Sequence, residues 1–150
     1  MLTVGMQAPN FSLEDTDGNQ IQLSDFKGKT VVVYFYPKNN TPGCTLEAQQ
    51  FRNHLADFKA KNAVVLGITI DTLKRSCNFS DKNELNFPIL TDTDGSVCKE
   101  YGVWQLKKNY GREYYGIVRT TCIIDANGII TQLFENVRVK NHVEEVLAAL

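Results

Sequence analysis

Neither sign of charge is in excess in this chain: 16 lysines and arginines stand against 17 aspartates and glutamates. A surface built to hold nucleic acid or anionic lipid needs a basic surplus, so neither partner is expected. No run approaches the roughly 20 consecutive apolar residues that a membrane span requires. Histidine is scarce, and His54 and His142 lie far in sequence from each other and from every cysteine. The four cysteines, Cys44, Cys77, Cys98 and Cys122, form no Cys-x-x-Cys pair. Their spacing fits neither a zinc site nor a small disulfide-stapled scaffold. No metal and no cofactor are therefore expected. The opening MLTVGMQAPN lacks a basic stretch ahead of an apolar core, so it does not read as a secretory signal, and a cytoplasmic location is expected.

What is present is ordinary globular material, 43% hydrophobic and 22% charged over 150 residues. A chain of this length buries roughly 70% of the surface its unfolded form exposes, and residues 1–150 are expected to form one domain. FSLEDTDGNQIQLSDF alternates around Asp17-Gly18-Asn19, as a β-hairpin does. Thr30–Tyr36 is β-branched and aromatic throughout, as befits a central strand covered on both faces, and Pro37 ends it. From Cys44 to about Lys61 the pattern turns helical, with Ala48, Phe51, Leu55 and Phe58 on one face. AVVLGITID follows as a strand, Thr72–Glu84 as a helix, FPIL as a short strand and SVCKEYGV as a helix. RTTCIID and IITQLFEN flank an Ala126-Asn127-Gly128 hairpin turn, and NHVEEVLAAL closes the chain as a helix. The order predicts an α/β fold with an N-terminal hairpin and a mixed, mostly parallel central sheet flanked by helices.

The chemistry concentrates in YFYPKNNTPGCT, where a strand stops at a proline, crosses a polar loop and ends on a thiol at a helix start. Unpaired backbone N–H groups and the positive end of the helix dipole converge in a first turn, and both favour a thiolate. A free thiol near pKa 8.5 is only about 3% ionised at pH 7, whereas one lowered to about 6 is about 90% thiolate. Pro42 fixes the chain at the entry, Gly43 lets a small ligand approach the backbone, and Thr41 places a hydroxyl one short loop before the sulfur. On local physics alone, a small buried structural cysteine fits the position equally well.

Pro37-x-x-x-Thr41-x-x-Cys44 resembles the active-site signature of the peroxiredoxins, and YFYPKNNTPGCTLEA is similar to that of the bacterioferritin comigratory protein, or peroxiredoxin Q, branch. The likeness extends through APNFSLEDTDG, VVLGITID, FPILTDTDGSVCKEYGVW and YGIVRTTCIIDANG. It implies a thioredoxin-like fold and a monomeric thiol peroxidase that reduces hydrogen peroxide and organic hydroperoxides, with thioredoxin or another thiol as reductant. Cys44 would be the nucleophile that becomes a sulfenic acid. Thr41 would hydrogen-bond the peroxide, the N–H groups around Gly43 and Cys44 would align its oxygens, and Pro42 would shield the sulfur from water. Arg119 would stabilise the thiolate and the charge developing on the leaving oxygen. Glu47 would orient Arg119.

The sequence departs from the branch at the resolving cysteine. Where many members carry one five residues after the nucleophile, this chain has Gln49. Where others carry one on the next helix, it has Ser80, with Cys77 one turn earlier on the same face. Either Cys77 resolves from that shifted place, which requires local unfolding, or an external thiol reduces a one-cysteine enzyme. Cys98 and Cys122 read as core, and His54 as a boundary residue. Trp104 and the tyrosines of GREYY are packing or pocket wall. A dithiol reductase is excluded by Thr45-Leu46-Glu47 after Cys44; a non-enzymatic peroxide sensor or holdase is the rival reading.

Overall fold

The computed structural model describes residues 2–150. Its strands, in chain order, are β1 (Ser12–Asp15), β2 (Gln20–Gln22), β3 (Thr30–Phe35), β4 (Ala63–Thr69), β5 (Ile89–Thr91), β6 (Trp104–Asn109), β7 (Arg112–Ile117), β8 (Thr120–Ile124) and β9 (Ile130–Phe134). The helices are α1 (Pro42–Asn53), α2 (Leu55–Ala60), α3 (Leu73–Lys82), α4 (Ser96–Glu100) and α5 (His142–Ala148). Seven strands form one sheet in the order β2-β1-β5-β4-β3-β8-β9.

Alternation along β3 supplies two cores. Val31, Val33 and Phe35 face a cluster with Leu66, Ile68, Cys122 and Ile124, closed by Val97, Cys98 and Tyr101 around α4. Val32, Tyr34 and Tyr36 face the opposite cluster, where α1, α2, α3 and α5 bring Phe51, Phe58, Phe79 and Val146. Phe51 and Phe58 are fully buried, each stabilising the fold by roughly 1.5–3 kcal/mol. Tyr34 stacks on Phe51 at 4.6 Å, and Gly67 on β4 leaves room for that ring: a Cβ there would lie 2.9 Å from Tyr34 Cζ and 2.8 Å from Ile89 Cδ1.

The mixed sheet flanked by helices is as expected, with one correction. Only β3–β4 and β4–β5 pair in parallel; β1–β2, β1–β5, β3–β8 and β8–β9 are antiparallel. Parallel pairing is thus confined to the three strands joined by helical crossovers, while hairpins supply both outer pairs. The helix expected from Cys44 to Lys61 starts earlier and is broken. Thr41, extended at φ −86° and ψ 152°, is the N-cap, and Pro42 takes the first helical position, where its missing N–H costs nothing. His54 leaves helical geometry between α1 and α2, its Nδ1 lying 3.2 Å from Asp57 Oδ2.

A second hairpin, β6–β7, stands apart from the main sheet. Its two-residue turn is Tyr110-Gly111, with φ of 52° and 78°. Both central residues at positive φ match the twist of a tight hairpin, although tyrosine is an uncommon occupant of the first. Trp104 packs partly buried against the core, whereas Tyr114 and Tyr115 are exposed, so the GREYY tyrosines are not core packing.

Candidate active site

Cys44 is the third residue of α1, in the turn whose N–H groups have no intrahelical partner. Helical spacing puts Cys44, Glu47, Ala48 and Phe51 on one buried face, and Cys44 is 1% exposed. An acidic residue on that apolar stripe needs a partner. It has one: Arg119, between β7 and β8, donates through Nη1 to Glu47 Oε1 at 2.6 Å. Its Nη2 donates to Cys44 Sγ at 3.2 Å. The fork of one guanidinium therefore bridges the thiol and the carboxylate, a geometry that an ammonium cannot copy. Its own position is fixed by the strand entry, where the Arg119 carbonyl accepts the Val137 N–H at 2.9 Å.

Burial pushes Glu47 up to about 7, against the opposing charge and hydrogen bond of Arg119. Its Oε2 is buried with no hydrogen-bond partner among the described residues. Burial works against the charge on Arg119, but Glu47 and Cys44 outweigh it and hold the guanidinium ionised. Tyr34 and Tyr36 are raised well above the usual phenol range, first by burial; Tyr36, Glu47 and Cys44 add to the effect on Tyr34.

Gly43 lies directly beside the guanidinium of Arg119, and the space around it would admit a methyl group in ordinary van der Waals contact. A Cβ there would sit 3.4 Å from Arg119 Nη2 and 3.8 Å from Val139 Cγ2. Pro42 is exposed beside the half-buried Gly43. Thr41 does not cap α1 with its side chain; its hydroxyl donates to the Lys38 carbonyl at 3.2 Å. Pro37 follows β3 and opens the loop to the helix.

Cys77 lies apart from this cluster. It is half-buried on α3 and its thiol donates to the Thr16 carbonyl at 3.3 Å, in the turn of the β1–β2 hairpin. All four cysteines are free. Cys98 and Cys122 are fully buried, and burial raises both thiols, Cys122 to about 12.

Two residues near the site escape a reading of the sequence. Lys107 is half-buried on β6, with Nζ donating to the Ile117 carbonyl at 2.9 Å and its stem crossing Gly116. Burial and the Arg119 charge lower its pKa, while Cys44 opposes them. Period-2 alternation along β6 groups Lys107 with the polar Gln105 and Asn109, so the sequence gives no sign that its stem turns inward. The other is Asn39, buried in the loop before α1. Among the described residues no group of histidine, cysteine, aspartate and glutamate is arranged to hold a metal ion, and no helix is long and apolar enough to cross a membrane.

The AhpC/TSA family matches residues 4–133. Peroxiredoxin Bcp of Escherichia coli strain K12 is 44% identical over 146 residues, covering 97% of this chain and 94% of its own. Among solved structures, a mutant of Xylella fastidiosa PrxQ superposes with a TM-score of 0.94 at 34% identity, over 99% of this chain and 94% of that one. The bacterioferritin comigratory protein of Xanthomonas campestris, described for its alkyl peroxide reduction activity, gives 0.88 at 36% identity, over 93% and 88%.

Proposed function

This chain belongs to the AhpC/TSA family, in its Bcp or peroxiredoxin Q branch, and from that premise we propose how its residues carry out peroxide reduction. It is a thiol-dependent peroxidase with a thioredoxin-like fold, taking a hydroperoxide and a thiol reductant. The sensor or holdase reading is not favoured by these relatives.

In the proposed mechanism the Cys44 thiolate attacks the terminal oxygen of the hydroperoxide. The S–O bond forms as the O–O bond breaks, sulfur is oxidised to the sulfenic acid, and the leaving alkoxide or hydroxide takes a proton to give alcohol or water. Arg119 holds the thiolate through Nη2 and meets the charge growing on the leaving oxygen. Glu47 fixes the guanidinium plane through Nη1. Thr41 turns its hydroxyl to the bound peroxide, the Gly43 and Cys44 N–H groups align its oxygens, and Pro37 and Pro42 shape and shield the entry. The single observation that carries this reading is Arg119 Nη2 at 3.2 Å from Cys44 Sγ in the first turn of a helix.

The cycle closes when a thiol attacks the sulfenic sulfur, releasing water and forming a disulfide, and a second thiol displaces Cys44 from it. Within this chain Cys77 is the candidate for the first role, because Cys98 and Cys122 are fully buried and Cys77 is not. The Cys77 thiol faces Thr16, so α3 has to open before the pair can bond. Thioredoxin is the proposed reductant, the cytoplasm the proposed location, and a monomer the proposed working unit. Four unpaired cysteines suit a reducing compartment.

The test is NADPH oxidation in a coupled assay with thioredoxin, thioredoxin reductase and hydrogen peroxide. Turnover by the native chain that is abolished in Cys44→Ser supports the reading. Undiminished turnover in Cys44→Ser contradicts it. Light scattering tests the monomer.

A further inference from the structure

Asn39 is 4% exposed in the loop that leads from β3 to Cys44, and its side chain is fully engaged. Its Oδ1 accepts the Tyr36 hydroxyl at 2.7 Å. Its Nδ2 donates to Asp71 Oδ2 at 3.1 Å and to Ser76 Oγ at 3.0 Å, and its backbone N–H reaches Asp71 Oδ2 at 3.4 Å. Ser76 is fully buried on α3 and Asp71 stands just before that helix. The next loop residue, Asn40, sits at φ 65°, so the chain turns sharply between this anchor and the start of α1. One amide thus fastens the loop that delivers Cys44 to the helix carrying Cys77.

The two halves of the catalytic cycle ask for different things of that loop. Peroxide is small, and its reaction needs the sulfur, Arg119 and the first-turn N–H groups in fixed register. A reducing thiol has to bring its own sulfur in line with the S–O bond of a group that is 1% exposed here. Cys77, next to Ser76 and about 100° further round the helix, faces the same obstacle from inside the chain.

Resting on the assignment of Cys44 as the reacting thiol, we propose that Asn39 is a positioning residue that latches the Cys44 loop to α3. Peroxide reacts with the latch closed, and the thiol reductant reaches the sulfenic acid when its contacts part. Four hydrogen bonds of ordinary strength leave such an opening within the range of local unfolding.

Stopped-flow measurement of the two half-reactions separates this role from general support of the fold. The background is Cys77→Ser, so that no internal disulfide competes, and the variants are Asn39→Ala and Ser76→Ala, each assayed well below its melting temperature. Asn39→Ala is expected to slow oxidation of Cys44 by hydrogen peroxide about tenfold and to speed reduction of the preformed sulfenic acid by dithiothreitol about threefold. Ser76→Ala keeps the Tyr36 and Asp71 contacts, so it shifts both rates in the same directions by smaller factors, and it carries the test if Asn39→Ala fails to fold. Both half-reactions slowed together, or both unchanged, would overturn the latch while leaving Cys44 as the nucleophile. Failure of Cys44 to oxidise in the parent protein would overturn both.

Discussion

Arg119 donates to Glu47 Oε1 at 2.6 Å, and this pairing of a half-buried cation with a fully buried carboxylate fixes the plane of the guanidinium. With Nη1 held, Nη2 has one direction left, and it points at Cys44. Lysine at position 119 keeps the charge but cannot serve both partners along one fork. Arg119→Lys is therefore expected to lower the second-order rate constant with hydrogen peroxide by about 10²-fold, an effect of the size seen on removing one preorganised donor from an anionic transition state. A direct peroxide-reaction assay under stopped flow checks it, and a near-unchanged rate would remove Arg119 from the mechanism.

If Glu47 acts through Arg119, the two substitutions share one effect. Glu47→Gln retains an oxygen for Nη1 but loses the charge, with an expected rate loss of about tenfold. The double variant Glu47→Gln/Arg119→Lys should then be much less impaired than the product of the single losses, because the pair is coupled. Strict multiplicativity in the same assay would show that Glu47 acts independently.

Two buried groups give the stability opposite pH slopes. His142, with Nε2 at 2.8 Å from Thr121 Oγ1, is pushed down to about 4 by burial, with the Arg119 charge adding to it. A depressed folded-state value means that its contribution is present above the unfolded value near 6.5 and is lost as pH falls through about 4. The loss is on the order of 3 kcal/mol. Glu47 is raised to about 7, so its contribution is present below the usual carboxylate range and is lost as pH rises through about 7. Urea melts at pH 4, 5.5, 7 and 8 check both slopes: His142→Gln should flatten the acid side, and Glu47→Gln the side between pH 5 and 8.

Gly67→Ala tests the packing beneath α1. The new methyl would lie under 3 Å from Tyr34 Cζ and Ile89 Cδ1, neither of which can withdraw without disturbing Phe51 or β5. The expected loss is about 1–3 kcal/mol by denaturant unfolding. No change in the urea midpoint would contradict the close packing of Tyr34 on β4.

Much of this arrangement is written locally. Thr30–Tyr36 reads as a buried strand because every residue suits one, whereas the helix starts at Pro42, two residues before the Cys44 start that the apolar periodicity suggests. Glu47 is legible as a charge on a buried stripe, three residues from Cys44. Arg119 is not: an arginine before a strand is usually a surface residue, and only the resemblance to known peroxiredoxins singles it out. The β6–β7 hairpin is not legible in the sequence because its turn is Tyr110-Gly111 rather than Asn-Gly, and Lys107 is hidden with it. The break at His54 has no proline or glycine to announce it. Asn39 and Ser76 are 37 residues apart, and only the packing of α3 beside the β3–α1 loop brings them together.

The central claim is that Cys44, held by Arg119, is the atom that reduces peroxide. Its most direct test is a non-reducing peptide map of the reduced protein after one equivalent of hydrogen peroxide, with a sulfenic-acid trap added to a parallel sample. The account predicts modification at Cys44 alone among the buried cysteines, either as a trapped sulfenic acid or as a Cys44–Cys77 disulfide. An unmodified Cys44 in both samples would contradict it.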